Sequence, residues 1–112
     1  MLILPPSVRI FLCAQPTDMR RSFDRLAEMT RSTIGQNPLS GHLFVFRSRG
    51  GDKVKILWWD RGGYCLWYKR LERGVFRFPA SGEIPVGDLT LILEGIDLEG
   101  ARRRKVFEPR AT

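Results

Sequence analysis

The chain holds one histidine, His42, and two cysteines, Cys13 and Cys65, in 112 residues. His42 has no Cys or His at ligand spacing, so a zinc site is not expected, and a strand-edge or turn role suits it better. The cysteines stand far apart in apolar, strand-like runs. This excludes a disulfide framework or a CxxC-type site and fits a reducing, cytoplasmic compartment. No apolar run approaches the roughly 20 residues of a membrane span, and "MLILPP" is too short for a secretory core and is cut by Pro5 and Pro6. GxSxG, P-loop and HExxH patterns are absent. Asp60 and Glu72 are the carboxylates that invite a metal-dependent nuclease reading, but both sit in turn sequences where acidic residues are ordinary. The expectation is a protein with no catalytic residues, no metal and no cofactor. Acidic residues are also outnumbered, 12 against 19 Lys and Arg, and the resulting charge of +7 favours a polyanionic partner.

The length suits one small domain, expected over residues 1–98 with a basic tail at 99–112. Residues 8–13 read as a strand. In "QPTDMRRSFDRLAEMTRSTIGQNP", Met19, Phe23, Leu26, Ala27, Thr30 and Ile34 recur at spacings of three and four. They predict one amphipathic helix, capped by Thr17 or Asp18 and stopped by Gly35 and Pro38. From residue 42 to 79 the period becomes two. "HLFVFR", "KVKILWW", "YCLWYKRL" and "VFRF" are separated by "SRGGD", "DRGG" and "ERG", which predicts a four-strand meander. "IPVGDLTLILEGID" offers a short helix over residues 85–94 with Gly95 as its C′ residue. The fold class expected is α+β: an antiparallel meander of four to five strands, with one amphipathic helix on one face and a short C-terminal helix.

Turn lengths set a provisional register. Closing "DRGG" opposes Trp59 to Tyr64 and Ile56 to Trp67. Closing "SRGGD" opposes Arg47 to Lys53 and Phe44 to Ile56, and closing "ERG" opposes Trp67 to Phe78 and Tyr68 to Arg77. One face then holds Phe44, Phe46, Val54, Ile56, Trp58, Cys65, Trp67, Phe76 and Phe78, the expected seat of the first helix, with Phe23 and Leu26 against Ile56 and Trp67. The other carries Trp59, Tyr64 and Tyr68 among Arg47, Lys53, Lys55, Arg70 and Arg77. Two readings of this mixed face stand. Its apolar centre is covered by the C-terminal helix and the cations are a solvated rim, or the face is open and binds nucleic acid by stacking and charge. Residues 43–79 contain nine Lys or Arg and three Asp or Glu, which favours the second. The two "RGG" strings, at Arg49 and Arg61, read as hairpin turns. The run Arg102, Arg103, Arg104 and Lys105 is either a solvated tail or added phosphate affinity.

"TDMRRSFDRLA", "GHLFVF", "WWD", "YKRLE" and "LEGID", in that order, resemble the small second-frame protein, called TnpB, of bacterial insertion sequences of the IS-sixty-six type. The likeness runs over residues 8–98 and does not extend to the RNA-guided nuclease of the same name. Two strings depart from it: Ser22 stands where Gly is expected, and "SRGG" where a more basic turn is usual, leaving Arg49 as that turn's cation. The resemblance implies an accessory transposition protein beside a separate transposase. The expected partners are DNA, either transposon ends or non-specific, through the residues just named, or, alternatively, the transposase or another accessory protein docked on the Trp59, Tyr64 and Tyr68 surface. No membrane partner is expected, and no oligomeric state is implied.

Overall fold

A computed structural model describes residues 5–79 and 82–95. In chain order the elements are β1 (Ile10–Leu12), α1 (Phe23–Met29) continued by a π-helical turn (Thr30–Ile34), β2 (Leu43–Arg47), β3 (Lys53–Asp60), β4 (Gly63–Arg70), β5 (Glu83–Ile84) and α2 (Val86–Leu93). They form an α+β domain around one mixed five-stranded sheet in the order β4-β3-β2-β1-β5. β2, β3 and β4 are the expected meander. β1 runs parallel to β2, a pairing that needs a long crossover, and α1 with its turn supplies it. β5 pairs antiparallel with the outer side of β1.

Both faces of the sheet are covered, so strands that look amphipathic are apolar on each side. Phe11, Cys13, Phe44, Phe46 and Leu57 meet Leu26, Ala27 and Met29 on the α1 face. Ile10, Leu12, Leu43, Val45, Val54, Ile56, Phe76 and Ile84 meet Leu89, Ile92 and Leu93 on the α2 face, with Trp58, Trp67 and Phe78 packed against them. Cys13 and Cys65 are free thiols, buried and half-buried respectively.

The β3–β4 register is the expected one, Trp59 opposite Tyr64 and Ile56 opposite Trp67. A two-residue turn fixes it. Asp60 pairs with Gly63, leaving Arg61 and Gly62 at φ 40° and 90°, the positive pair of a type I′ turn.

The β2–β3 register differs from expectation by one residue, with Phe44 opposite Leu57 and Arg47 opposite Val54. Ser48 prolongs the ladder: its N–H donates to the Lys53 carbonyl (2.9 Å), and its Oγ accepts from the Lys53 N–H (3.1 Å). The loop is therefore residues 49–52, one shorter than assumed. Because side chains alternate faces, this slip leaves Phe44 and Phe46 under α1 as expected but puts them with Leu57, while Val54 and Ile56 join Leu43 and Val45 on the α2 face.

Two further corrections follow from tertiary contacts. "VFRF" is not a strand: the Phe76 N–H donates to the Gly51 carbonyl at 2.9 Å, which draws the chain across the end of the sheet toward the α2 core. Gly51 is at φ 79°, and a Cβ there would stand 3.3 Å from Val75 Cβ, so the crossing requires glycine. The seat of α1 is the face opposite Ile56 and Trp67, and Phe23 is 42% exposed while Leu26 is fully buried. Leu26→Ala should cost about 2 to 5 kcal/mol in denaturant melts, and Phe23→Ala less than about 1 kcal/mol. Equal losses would show that α1 packs in another rotation.

Candidate nucleic-acid interface

Lys55 decides how the α1 face is built. It stands in β3 between Val54 and Ile56 and is only 6% exposed. A buried ammonium needs acceptors, and Lys55 Nζ donates to the carbonyls of Met19 and Arg21 at 2.7 Å each. Its Nζ also lies 4.8 Å from the centre of the Tyr68 ring, the cross-strand neighbour. Burial pushes its pKa below the ordinary lysine value, and the charge of Asp18 pushes back.

Those two carbonyls explain why α1 starts later than its capping signals suggest. Engaged by Lys55, they lie outside the helical ladder, whose first bond is from the Leu26 N–H to the Ser22 carbonyl (2.9 Å). Asp18 caps a turn instead. Its Oδ1 accepts from the Arg20 N–H (2.9 Å), and its carboxylate meets the Arg20 guanidinium at 2.7 Å. Arg20, by side-chain and then backbone hydrogen bonding, holds the Asp18 pKa at about 2, against an ordinary 3.8.

The other expected site residues divide by what they already hold. Lys53 and Arg70 do share the α1 face with Lys55 and Tyr68, and Trp59 packs edge-on against Tyr64 at 5.1 Å. Lys53 faces Asp52 at 3.7 Å, and Arg70 meets Glu72 at 3.0 Å. Arg47 points an Nη to the Ala14 carbonyl (2.9 Å) and lies in β2 with the residues of the α2 face. Arg77 is exposed but falls in the non-strand segment, so it does not neighbour Tyr68 as expected. Lys69 donates to the Leu93 carbonyl at 3.1 Å, a cation at the C-terminus of α2. Tyr68 is half-exposed. Arg102, Arg103, Arg104 and Lys105 lie outside the described residues, as does the expected tail. His42 ties together the starts of the neighbouring strands β1 and β2: its Nδ1 accepts from the Arg9 N–H at 2.9 Å.

The structure also brings together cations that the sequence did not mark as a site. Arg21 and Arg25 line a cleft of about 440 Å³ with Arg49, Gln15, Ser32 and Thr33. Asp18 and Glu28 border it too, but their carboxylates are engaged by Arg20 and by Arg31 (3.7 Å). Among the described residues Arg25 and Arg49 form no ion pair. Arg21 leans on Met29, its Nη1 2.9 Å from the sulfur. The spacing of Arg21 and Arg25, one helical turn apart, was the available signal. The nearness of Arg49, across the sheet end, had none.

A family model described as "IS66 Orf2 like protein" matches residues 8–103. The chain is 42% identical over 95 residues to the uncharacterized protein y4hO of Sinorhizobium fredii, covering 81% of this chain and 83% of that one. It is 32% identical over 106 residues to the uncharacterized protein y4jC of the same organism, with 91% of each covered. No solved structure matches.

Two outcomes test the site's construction. Lys55→Met should destabilise the fold by about 2 to 5 kcal/mol in denaturant melts, because two carbonyls lose a charged donor. For Asp18 the folded pKa lies below the unfolded one, so its stabilisation is complete above pH 3.8 and disappears as pH falls toward 2. The stability gap between the wild type and Asp18→Asn should close over that window in urea melts.

Proposed function

The chain belongs to the IS66 Orf2-like family and is an accessory protein of transposition, and from that premise we propose that it acts by binding DNA without cutting or joining it. The observation that supports this reading is the cleft with Arg21, Arg25 and Arg49, where two guanidiniums have no acidic partner and face solvent beside polar groups suited to phosphate oxygens. A guanidinium already neutralised by a carboxylate gains little from a phosphate, so the paired cations Lys53 and Arg70 contribute less than the sequence alone suggests. Lys55 contributes nothing directly. The centre of the interface therefore moves from the open sheet to the groove between α1 and the residue 49–52 loop.

No groups of three or more His, Cys, Asp or Glu able to hold a metal ion occur among the described residues, and Asp60 and Glu72 stand at different ends of β4. Both facts favour a binding role over a nucleolytic one. A second reading, an adaptor that docks another transposition protein, has one observation in its favour: Tyr68 is 51% exposed, an aromatic surface of the kind that anchors protein interfaces.

The test is DNA affinity as a function of salt. Arg25→Ala and Arg49→Ala should each lower the slope of log affinity against log salt by about 0.7 to 0.9 and weaken binding to all sequences alike. Lys53→Ala should change the slope by less than half as much. Slopes that ignore Arg25 and Arg49, or an absence of DNA binding with retained capture of the transposase, would remove the DNA reading in favour of the adaptor. Magnesium-dependent cleavage abolished by Asp60→Asn would overturn the non-catalytic one.

A further inference from the structure

The two edges of the sheet are unlike. β5 is two residues long and sits beside the Arg9–Glu83 ion pair (2.6 Å), a short edge of the kind that resists pairing. β4 is eight residues long, and the segment expected to cover it, residues 75–78, runs elsewhere. Its side chains from Gly63 to Tyr68 are uncharged, with no proline and no bulge in the ladder to β3.

The ladder also fixes which backbone groups of β4 are free. The closing pair of the two-residue hairpin, Asp60 and Gly63, exchanges hydrogen bonds, so Cys65, Trp67 and Lys69 turn their N–H and C=O groups to β3 as well. The Leu71 N–H follows the same alternation, donating to the Asp52 carbonyl at 2.7 Å. Tyr64, Leu66, Tyr68 and Arg70 consequently point theirs outward, and no backbone bond among the described residues takes them up.

We propose that β4 is an interface strand that pairs antiparallel with β4 of a second copy of this chain, about a two-fold axis passing through Trp67. The choice of occupant comes from the strand's own symmetry. With the axis at Trp67, Leu66 faces the second copy's Tyr68, Tyr64 faces its Arg70, and Cys65 faces its Lys69. Every outward N–H and C=O group of the four outward residues then has a partner, because all four fall in hydrogen-bonded pairs. An axis at Leu66 would oppose Arg70 to Gly62 in the turn, and one at Tyr68 would leave Tyr64 beyond the end of the strand. No like charges meet in the Trp67 register, and each Arg70 guanidinium lies against a tyrosine ring. The contact is isologous, so it closes at two copies and leaves the short β5 edges outermost.

Sedimentation of the full chain without DNA tests this independently of any nucleic-acid role. The wild type should show a concentration-dependent monomer–dimer equilibrium. Leu66→Pro removes an outward N–H and leaves the β3 ladder intact, so it should sediment as a monomer with an unchanged circular dichroism spectrum. Should that variant fail to fold, the charge pair at position 64 decides. Tyr64→Lys, which opposes Arg70, should dimerise at least about tenfold more weakly than Tyr64→Glu, which attracts it. A wild type that is monomeric at every concentration overturns the proposal, even if it binds an extended peptide from another protein. So does a dimer untouched by folded Leu66→Pro, or equal dissociation constants for the two position-64 variants.

Discussion

A single ammonium in the interior sets the geometry of one half of this protein. Lys55 sits where an apolar residue would be simplest, and the need to satisfy its charge pulls the Met19 and Arg21 carbonyls down onto the sheet. That contact fixes where α1 begins, hence which way Arg21 and Arg25 project and how the helix lies over Phe44, Phe46 and Leu57. On the opposite face Lys69 does the corresponding job more cheaply, meeting the Leu93 carbonyl at the end of α2 from a partly exposed position. Two lysines on neighbouring strands thus tie one helix each to the two sides of the sheet. The difference between them is burial, which makes Lys55 structural in a way that a count of basic residues cannot reveal.

Sequence reasoning recovered the fold class, the β3–β4 register and α2, because each rests on a local rule: turn residues, period and a glycine C′ position. It failed by one residue between β2 and β3, since "LFVF" is apolar at every position and either parity buries two large side chains. Only Ser48, whose hydroxyl and N–H both join the ladder, selects the shorter loop. "VFRF" has the composition of a strand, but composition says nothing of a partner, and the Gly51 carbonyl claims Phe76 first. Thr17 and Asp18 are sound capping residues whose signal was real and was spent on a turn. Arg25 escaped notice because an exposed arginine on an amphipathic helix needs no explanation until Arg49 is seen beside it.

The cations of this basic chain therefore fall into functional groups that depend on geometry alone. Lys55 and Lys69 hold the helices. Arg9, Arg20, Arg31, Lys53 and Arg70 are matched with carboxylates on the surface. Arg25 and Arg49 are left with their charge unspent at the mouth of a cleft. On the reading proposed above, guanidiniums left unmatched are the ones that would meet a polyanion, since those already held by carboxylates gain less from it.

The position of β1 has a consequence for synthesis. β1 lies between β2, complete by residue 47, and β5, which is made only at residues 83 and 84. The Leu12 N–H donates to the Gly82 carbonyl at 2.7 Å, so the early strand is closed by nearly the last described piece of the chain. On the ribosome, the β2–β3–β4 hairpins can form from local contacts as they emerge, while the apolar run of β1 keeps an open edge until some seventy further residues have followed it. Until β5 arrives, the N–H and C=O groups on that side of β1 lack their native partners, which makes this interval the one in which the growing chain is most open to wrong strand pairing.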